Sequence, residues 1–415
     1  MKTLSNIKTF MALCLLVFIS AICTKTPPTI VEEEEEEEEE VCELLDIQLD
    51  KYLPSVNFKT RPGLYMENGI LKHEGEAYAG IGVNFYGAFV NYFISDKKEF
   101  NGMFALLAER GIEYCRVNIG PFWPINYTKM NQNKQMYFDR LDEVVKAAEQ
   151  NNIGLICCFF WVTSSISDFY DESCNLLKVP NSKTRIYMAQ YAKLIVKRYM
   201  ESPAIWGYEF GNEINLSVDL PNALDLLGPG NPALGQRPQY DENDIYTTEI
   251  VQPAMREFAQ IVKKNDQYGR IVTSGNSEPR PSQYNQRTKK SWTTDKREQM
   301  AEAMAWHNPA PMDCVSVHIY DLLDRFLPKS ENSYANLVKA YMEEAAAQNK
   351  ALFVGEFFGL DGRCEEVIDA IVENRVPISA VWAVGGVEYS LSQDPARLDE
   401  VLNYIEEVNR KLKGQ

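Results

Sequence analysis

Histidine is almost missing from this chain: among 415 residues only His73, His307 and His318 occur. Three scattered imidazoles supply neither an HExxH pair nor a multi-histidine cage, so no resident metal is expected. The sequence also has no P-loop, no paired CxxC and no GxSxG, and nothing in it calls for a cofactor. Positive charge is scarce: 42 Lys and Arg stand against 59 Asp and Glu, for a net charge of −17. An acidic chain repels phosphate backbones, which removes nucleic acid from the expected partners. The apolar run from Phe10 to Ile19 is too short to cross a bilayer as a helix.

What is present at the N-terminus reads as an address. Lysines at Lys2 and Lys8 precede the apolar run, and small residues precede Cys23, the layout of a secretory signal over residues 1–23. Ser20-Ala21-Ile22-Cys23 is similar to a bacterial lipoprotein cleavage box, so Cys23 either carries a lipid or marks simple cleavage. The expected location is accordingly secreted, or held at the cell surface by that lipid alone. Residues 24–50 carry Pro27, Pro28 and the run Glu32 to Glu40, whose like charges cannot collapse into a core; they read as a flexible tether. Seven of the nine cysteines remain beyond Cys23, an odd number that cannot pair completely. Cys115, Cys157 and Cys314 sit in apolar runs as small core residues, whereas Cys174 and Cys364 are the candidates for a disulfide.

Residues 51–415 read as one catalytic domain, expected to act as a monomer. Eight short apolar runs are expected as strands: Ala79–Asn84, Tyr114–Ile119, Ile153–Phe160, Ile205–Gly211, Arg270–Ser274, Cys314–His318, Leu352–Glu356 and Ile378–Trp382. Between them lie amphipathic stretches with apolar residues three and four apart, such as 137–150, 183–200, 247–264, 333–348 and 397–412. Eight such units predict a (β/α)₈ TIM barrel, with a doubly wound open sheet as the second choice. Gly63 to Glu76 carries a hairpin signal ahead of the first strand, positioned to close the barrel's bottom. The stretches 121–135, 162–182, 215–243 and 276–294 are expected as long loops on the C-terminal face, where barrel enzymes keep their sites.

Two of the strands end in a carboxylate. Trp206 to Glu213 runs apolar and finishes on Asn212-Glu213; Phe353-Val354-Gly355-Glu356 finishes on a second glutamate about half a circle away in chain order. Two carboxylates at one rim are what a retaining glycosidase needs, at an oxygen separation of about 5 to 5.5 Å.

With these residues the chain resembles the clan of (β/α)₈ retaining glycoside hydrolases, and within it the cellulase and β-mannanase family. The resemblance rests on Gly82 to Tyr86, Cys115-Arg116-Val117-Asn118, Asn212-Glu213, His318-Ile319-Tyr320, Gly355-Glu356-Phe357 and Ala380-Val381-Trp382; the run Tyr191 to Glu213 looks most like β-mannanases. It implies Glu213 as acid/base and Glu356 as nucleophile, Arg116 and Tyr320 beside the nucleophile, Asn212 on the sugar 2-hydroxyl, His318 in the same subsite and Trp382 as the platform under the ring. Glu213 is expected to have its pKa raised by burial and by Glu356. Cys157 to Trp161 contains no histidine where many members carry one, and this leaves the sugar open. Trp123, Trp161 and Trp292 fall in rim segments and are candidates for stacking on substrate, joined by Tyr127, Tyr170, Tyr240 and Tyr284. The expected substrate is a neutral β-linked hexosan, mannan ahead of β-glucan; a glycan-binding barrel without activity is the alternative from a different class.

Overall fold

The computed structural model of the chain describes Leu45, residues 47–386 and residues 388–414. The signal, Cys23 and most of the tether lie outside the described residues. The tether's last part does not behave as a spacer: Leu45, Ile47 and Leu49 pack against the core, and the Leu45 amide donates to Gln190 Oε1 at 3.0 Å.

Strands β1 (Leu64–Glu67), β2 (Ile70–His73) and β3 (Glu76–Ala77) form the antiparallel hairpin sheet, with Leu64 opposite His73 and Glu67 opposite Ile70. Its turn, Asn68-Gly69, has positive φ at both positions (54° and 77°), which is why an Asn-Gly pair occurs there. The second sheet holds β4 (Gly80–Asn84), β5 (Tyr114–Asn118), β6 (Gly154–Phe160), β7 (Ile205–Gly211), β8 (Ile271–Thr273), β9 (Cys314–Ile319), β10 (Ala351–Phe357) and β11 (Ile378–Val381). All eight are parallel, in the order β8-β7-β6-β5-β4-β11-β10-β9. Every residue of these strands is buried, so they read as continuous apolar runs with no alternation.

The first strand pairs with the last, Gly80 with Ile378 through Val83 with Val381, so the sheet has curled on itself. The remaining gap, between β8 and β9, is bridged by bonds outside the ladder. Asp313 N–H donates to Val272 O at 2.9 Å, and Val272 N–H donates back to Asp313 Oδ2 at 2.8 Å. Asn308 Oδ1 accepts from both Ser274 Oγ (2.7 Å) and Ser316 N–H (3.0 Å). The architecture is a (β/α)₈ TIM barrel. Leu64 and Leu71 of the hairpin join Tyr114, Trp206, Ile271 and Phe353 in a cluster inside the barrel, so the hairpin plugs its lower end.

Helices cover the five expected stretches, as Lys134–Gln150, Lys183–Arg198, Thr248–Asn265, Tyr334–Ala347 and Pro395–Leu412. All four expected loops contain helices of their own: Pro124–Gln132, Ser164–Phe169, Ala223–Leu226 and Gln283–Lys289. The first is started by Pro124 and by Asn126 Oδ1, which accepts from Trp123 N–H at 2.8 Å. Cys174 and Cys364 do not pair; both are buried free thiols, packed as the strand cysteines are.

Candidate active site

The rim of the barrel is organised around one cation. Arg116, on β5, is fully buried and spends its guanidinium on four partners: Nε to Glu209 Oε1 (2.6 Å), Nη1 to Glu356 Oε1 (2.6 Å) and Asn84 Oδ1 (3.0 Å), and Nη2 to Asn212 Oδ1 (2.7 Å). Burial works against its charge, but Glu209 and Glu356 outweigh burial and hold the proton in place. Glu356 ends β10, where its second oxygen accepts from Tyr320 Oη at 2.6 Å. Burial and the adjacent Glu356 carboxylate push the Tyr320 hydroxyl far above its ordinary pKa, so it remains a donor.

Glu213 follows the end of β7 with φ 49° and ψ 25°, a left-handed conformation that costs a non-glycine residue about 1–3 kcal/mol and survives where surroundings enforce it. Here the enforcement comes from the loop after β8: Glu213 N–H donates to Gly275 O at 2.9 Å. Gly275 itself has φ +71°, and a Cβ there would lie 1.9 Å from Gly211 O, so only glycine permits this approach. Glu213 Oε1 lies 2.9 Å from His318 Nδ1, which is also 3.6 Å from Glu356 Oε2. One oxygen from each glutamate and a ring nitrogen of His318 all fall within 4.8 Å of one another. A cation at that trio would have to compete with the Arg116 guanidinium for Glu356.

The expected rise in the Glu213 pKa is not what the surroundings produce. Burial pushes it up, but the hydrogen bond and charge of the His318 ring, with Arg116 and Ser277, outweigh burial and leave the carboxyl below its ordinary value. The raised carboxyl is Glu209, inside β7, where burial exceeds the pull of Arg116. Sequence reading passed over Glu209 because a single acid within an apolar strand gives no hint of its partner, 93 positions away.

The aromatic residues divide sharply. Trp161 is buried, with Arg116 Cζ 4.5 Å from its ring centroid. Tyr86 stacks on both it (4.9 Å) and Trp382 (5.4 Å, planes 11° apart), the two tryptophans lie 6.2 Å apart so that the three rings form a triangle, and Phe122 flanks Tyr86 at 6.2 Å. Tyr86 and Phe122 were not singled out from the sequence, although Tyr86 follows β4 as Trp382 follows β11. Trp123 packs edge-on to Phe122 at 4.9 Å, and Phe122, not Trp123, lines the cleft at Glu213. Trp292 is 58% exposed and does not line the cleft at Glu213; Tyr127 is a core residue and Tyr284 stacks on Trp306. The cleft, about 380 Å³, is lined by Asn212, Glu213, Trp161, Phe122, Leu216 and Tyr246, among others. Stacked rings beside paired carboxyls and hydrogen-bond donors form a surface for a neutral polyhydroxylated ring.

A family model described as Cellulase (glycosyl hydrolase family 5) matches residues 77–385. Among solved structures, an endo-1,4-beta-mannanase from Rhizomucor miehei is similar at TM-score 0.59 and 14% identity, over 85% of this chain and 100% of that one. A beta-mannanase from the blue mussel Mytilus edulis is similar at TM-score 0.56 and 15% identity, over 85% and 97%. A beta-glucanase from Saccharophagus degradans is similar at TM-score 0.55 and 14% identity, over 87% and 98%. No curated protein matches the sequence.

Proposed function

Since the chain belongs to glycosyl hydrolase family 5 and is a glycoside hydrolase, we propose that it cleaves a neutral β-1,4-linked hexosan, mannan first and β-glucan second, with retention of anomeric configuration. The observation that carries this reading is the approach of Glu213 and Glu356 oxygens to within 4.8 Å. That distance suits direct attack by a carboxylate and leaves too little room for a water between the pair, which an inverting mechanism requires. Glu356, ionised beside Arg116 and hydrogen-bonded by Tyr320, attacks the anomeric carbon as Glu213 delivers its proton to the departing glycosidic oxygen. The glycosyl ester on Glu356 is then opened by water, whose proton Glu213 takes, restoring both groups. Loss of the Glu356 charge in the ester lowers the proton affinity of Glu213, which keeps it ionised and able to act as the base when water attacks.

Arg116 holds the Asn212 carbonyl, which turns the amide's NH₂ end toward the substrate, in position for a sugar 2-hydroxyl. Trp382, backed by Tyr86 and Trp161, supplies the face on which the sugar ring rests. Mannan stands first because of the β-mannanase-like run Tyr191 to Glu213, and the mannanase names among the solved structures agree with it; β-glucan stands second on the glucanase. Chromatography of products from mannan, glucomannan, xyloglucan and carboxymethyl cellulose, with the first-formed anomer followed by NMR, tests the substrate and the stereochemistry. Glu356→Ala is expected to lower kcat by more than about a thousandfold, as removal of a group that acts in the transition state does, while glycan binding persists. Binding without turnover in the native protein would favour a lectin-like barrel instead. The layout of residues 1–23 supports export, and the mass of the mature N-terminus distinguishes a lipid on Cys23 from plain cleavage.

A further inference from the structure

Behind the acid lies a second buried ion pair that the reaction itself does not use. Glu278, in the loop after β8, and Arg325, in the loop after β9, are 47 positions apart, and their side chains are 7% and 5% exposed. Arg325 Nη2 donates to Glu278 Oε1, and its Nη1 donates to the Pro279 carbonyl at 2.6 Å. The other Glu278 oxygen accepts from Tyr341 Oη at 2.6 Å. Burial lifts the Glu278 carboxyl above its ordinary pKa against the pull of Arg325 and Tyr341. Two charges taken out of water gain little over a well-packed apolar pair, so their use lies in the geometry they fix.

What the pair grips is the stretch that supports Glu213. Ser277 N–H donates to Asn215 Oδ1 (3.0 Å), and Asn215 Nδ2 donates back to Ser277 O (2.9 Å). Asn215 N–H reaches Asn276 Oδ1 (3.2 Å), and Glu213 N–H reaches Gly275 O (2.9 Å). Residues 275–279 are thus laced on one side to the turn that carries Glu213 and on the other to Arg325, and the Ser277 hydroxyl is one of the donors to the Glu213 carboxyl. Arg325 lies a short way along the chain from Tyr320, whose hydroxyl donates to Glu356. The helix Tyr334–Ala347 closes the circuit: Tyr334 Oη donates to Tyr320 O (3.1 Å), and Tyr341, further along the same helix, holds Glu278.

We propose that Arg325 is a positioning residue for the catalytic pair: through Glu278 and the Pro279 carbonyl it holds Ser277 against Glu213, and through its own loop it ties that support to the Tyr320–Glu356 bond. The inference rests on the glycosidase reading above. The donors of Arg325 go to Glu278 and Pro279 and not to either catalytic carboxyl, so it acts only through what it holds. Without it Glu278 is an uncompensated buried charge, which takes up a proton or draws in water, and either response frees residues 277–279 on one side. A misplacement of about 1 Å at the reacting groups costs up to about a hundredfold in rate. Tyr86, Trp161 and Trp382 follow other strands, β4, β6 and β11, so the stacking face for the sugar is left intact.

The test is the pH profile of kcat/KM for Arg325→Met on the polysaccharide that the native protein hydrolyses. Losing the Ser277 hydrogen bond disfavours ionised Glu213, while the other groups that face it, His318 from β9, Glu356 from β10 and Arg116 from β5, are unchanged. The acid then keeps its proton to higher pH, and the alkaline limb should move upward. At the same time kcat should fall by about tenfold to a hundredfold, with KM within about twofold of native. Ser277→Ala should move the limb in the same direction, and the double variant should move it no further than the larger of the two single changes, as expected of residues in one connected chain. If Arg325→Met does not fold, Tyr341→Phe, which removes one donor from Glu278 and keeps the ring, should move the limb the same way by less. A lowered unfolding midpoint with limb and kcat at their native values, or shifts that add in the double variant, makes the ion pair structural only and overturns the proposal. No hydrolysis of any glycan by the native protein overturns the glycosidase reading itself.

Discussion

Removing His318 should separate its electrostatic effect on Glu213 from mere packing. A hydrogen bond and positive charge at a carboxylate favour its ionised form, and they hold Glu213 below its ordinary value. An acid must carry its proton in the free enzyme for kcat/KM, so the native alkaline limb should fall early and the optimum should be acidic. In His318→Ala the bond and the charge are gone, the Glu213 pKa rises, and the proton is kept to higher pH. The alkaline limb of the kcat/KM profile should therefore move upward even as kcat drops; a limb that stays, or moves to lower pH, would contradict the assignment of Glu213 as acid. Glu209 invites a related experiment. Arg116 faces two carboxylates, and one of them, Glu356, loses its charge when it becomes an ester, so Glu209 is the partner that continues to balance a fully buried cation. Breaking a buried pair costs about 3–5 kcal/mol, and Glu209→Gln should lower the unfolding midpoint accordingly. It should also reduce kcat by about a hundredfold with KM little changed, because the imbalance is greatest in the intermediate. Loss of stability with kcat intact would make Glu209 structural only.

At the level of elements, how much the sequence reveals depends on whether the chemistry is local. Ile205–Gly211 was readable to the residue because a strand buried on both faces is an unbroken apolar run closed by polar Asn212. The fifth strand was overextended: the Arg270 backbone N–H goes to Asp266 Oδ2 (2.7 Å) and not to a neighbouring strand, and Ser274 keeps one bond to β7, its carbonyl accepting from Gly211 N–H at 3.2 Å, just beyond the last ladder pair. The helices Pro124–Gln132, Ser164–Phe169 and Gln283–Lys289 were read as loop because each is short and polar or aromatic in composition, with little periodicity to detect. Glu213 and Glu356 were legible because each ends a strand, a property of its own neighbourhood. The Arg116–Glu209 pair, the packing of Tyr86 on two tryptophans, and the downward shift of Glu213 depend on contacts between distant segments, and no local pattern encodes them.

The whole barrel has one place where its cylinder is not continued by ladder bonds, between β8 and β9, and the geometry there depends heavily on Asp313. Its amide reaches Val272 O at 2.9 Å, its Oδ2 receives Val272 N–H at 2.8 Å, and Lys263 Nζ pairs with it at 2.5 Å. Asp313→Ala keeps the backbone bond but strips the acceptor from a buried amide and the partner from a lysine. Leaving a buried donor unsatisfied costs about 1–3 kcal/mol, so the denaturant midpoint should fall by that amount with the slope of the transition unchanged. Because Glu213 is tied to Gly275 just beyond β8, and His318 ends the adjacent strand, an opened seam should also loosen the catalytic pair. Amide exchange should then accelerate first at Val272 and Thr273, and kcat should drop more steeply with temperature than in the native protein. Uniform acceleration across all eight strands would mean that Asp313 contributes global stability without being the seam's fastening.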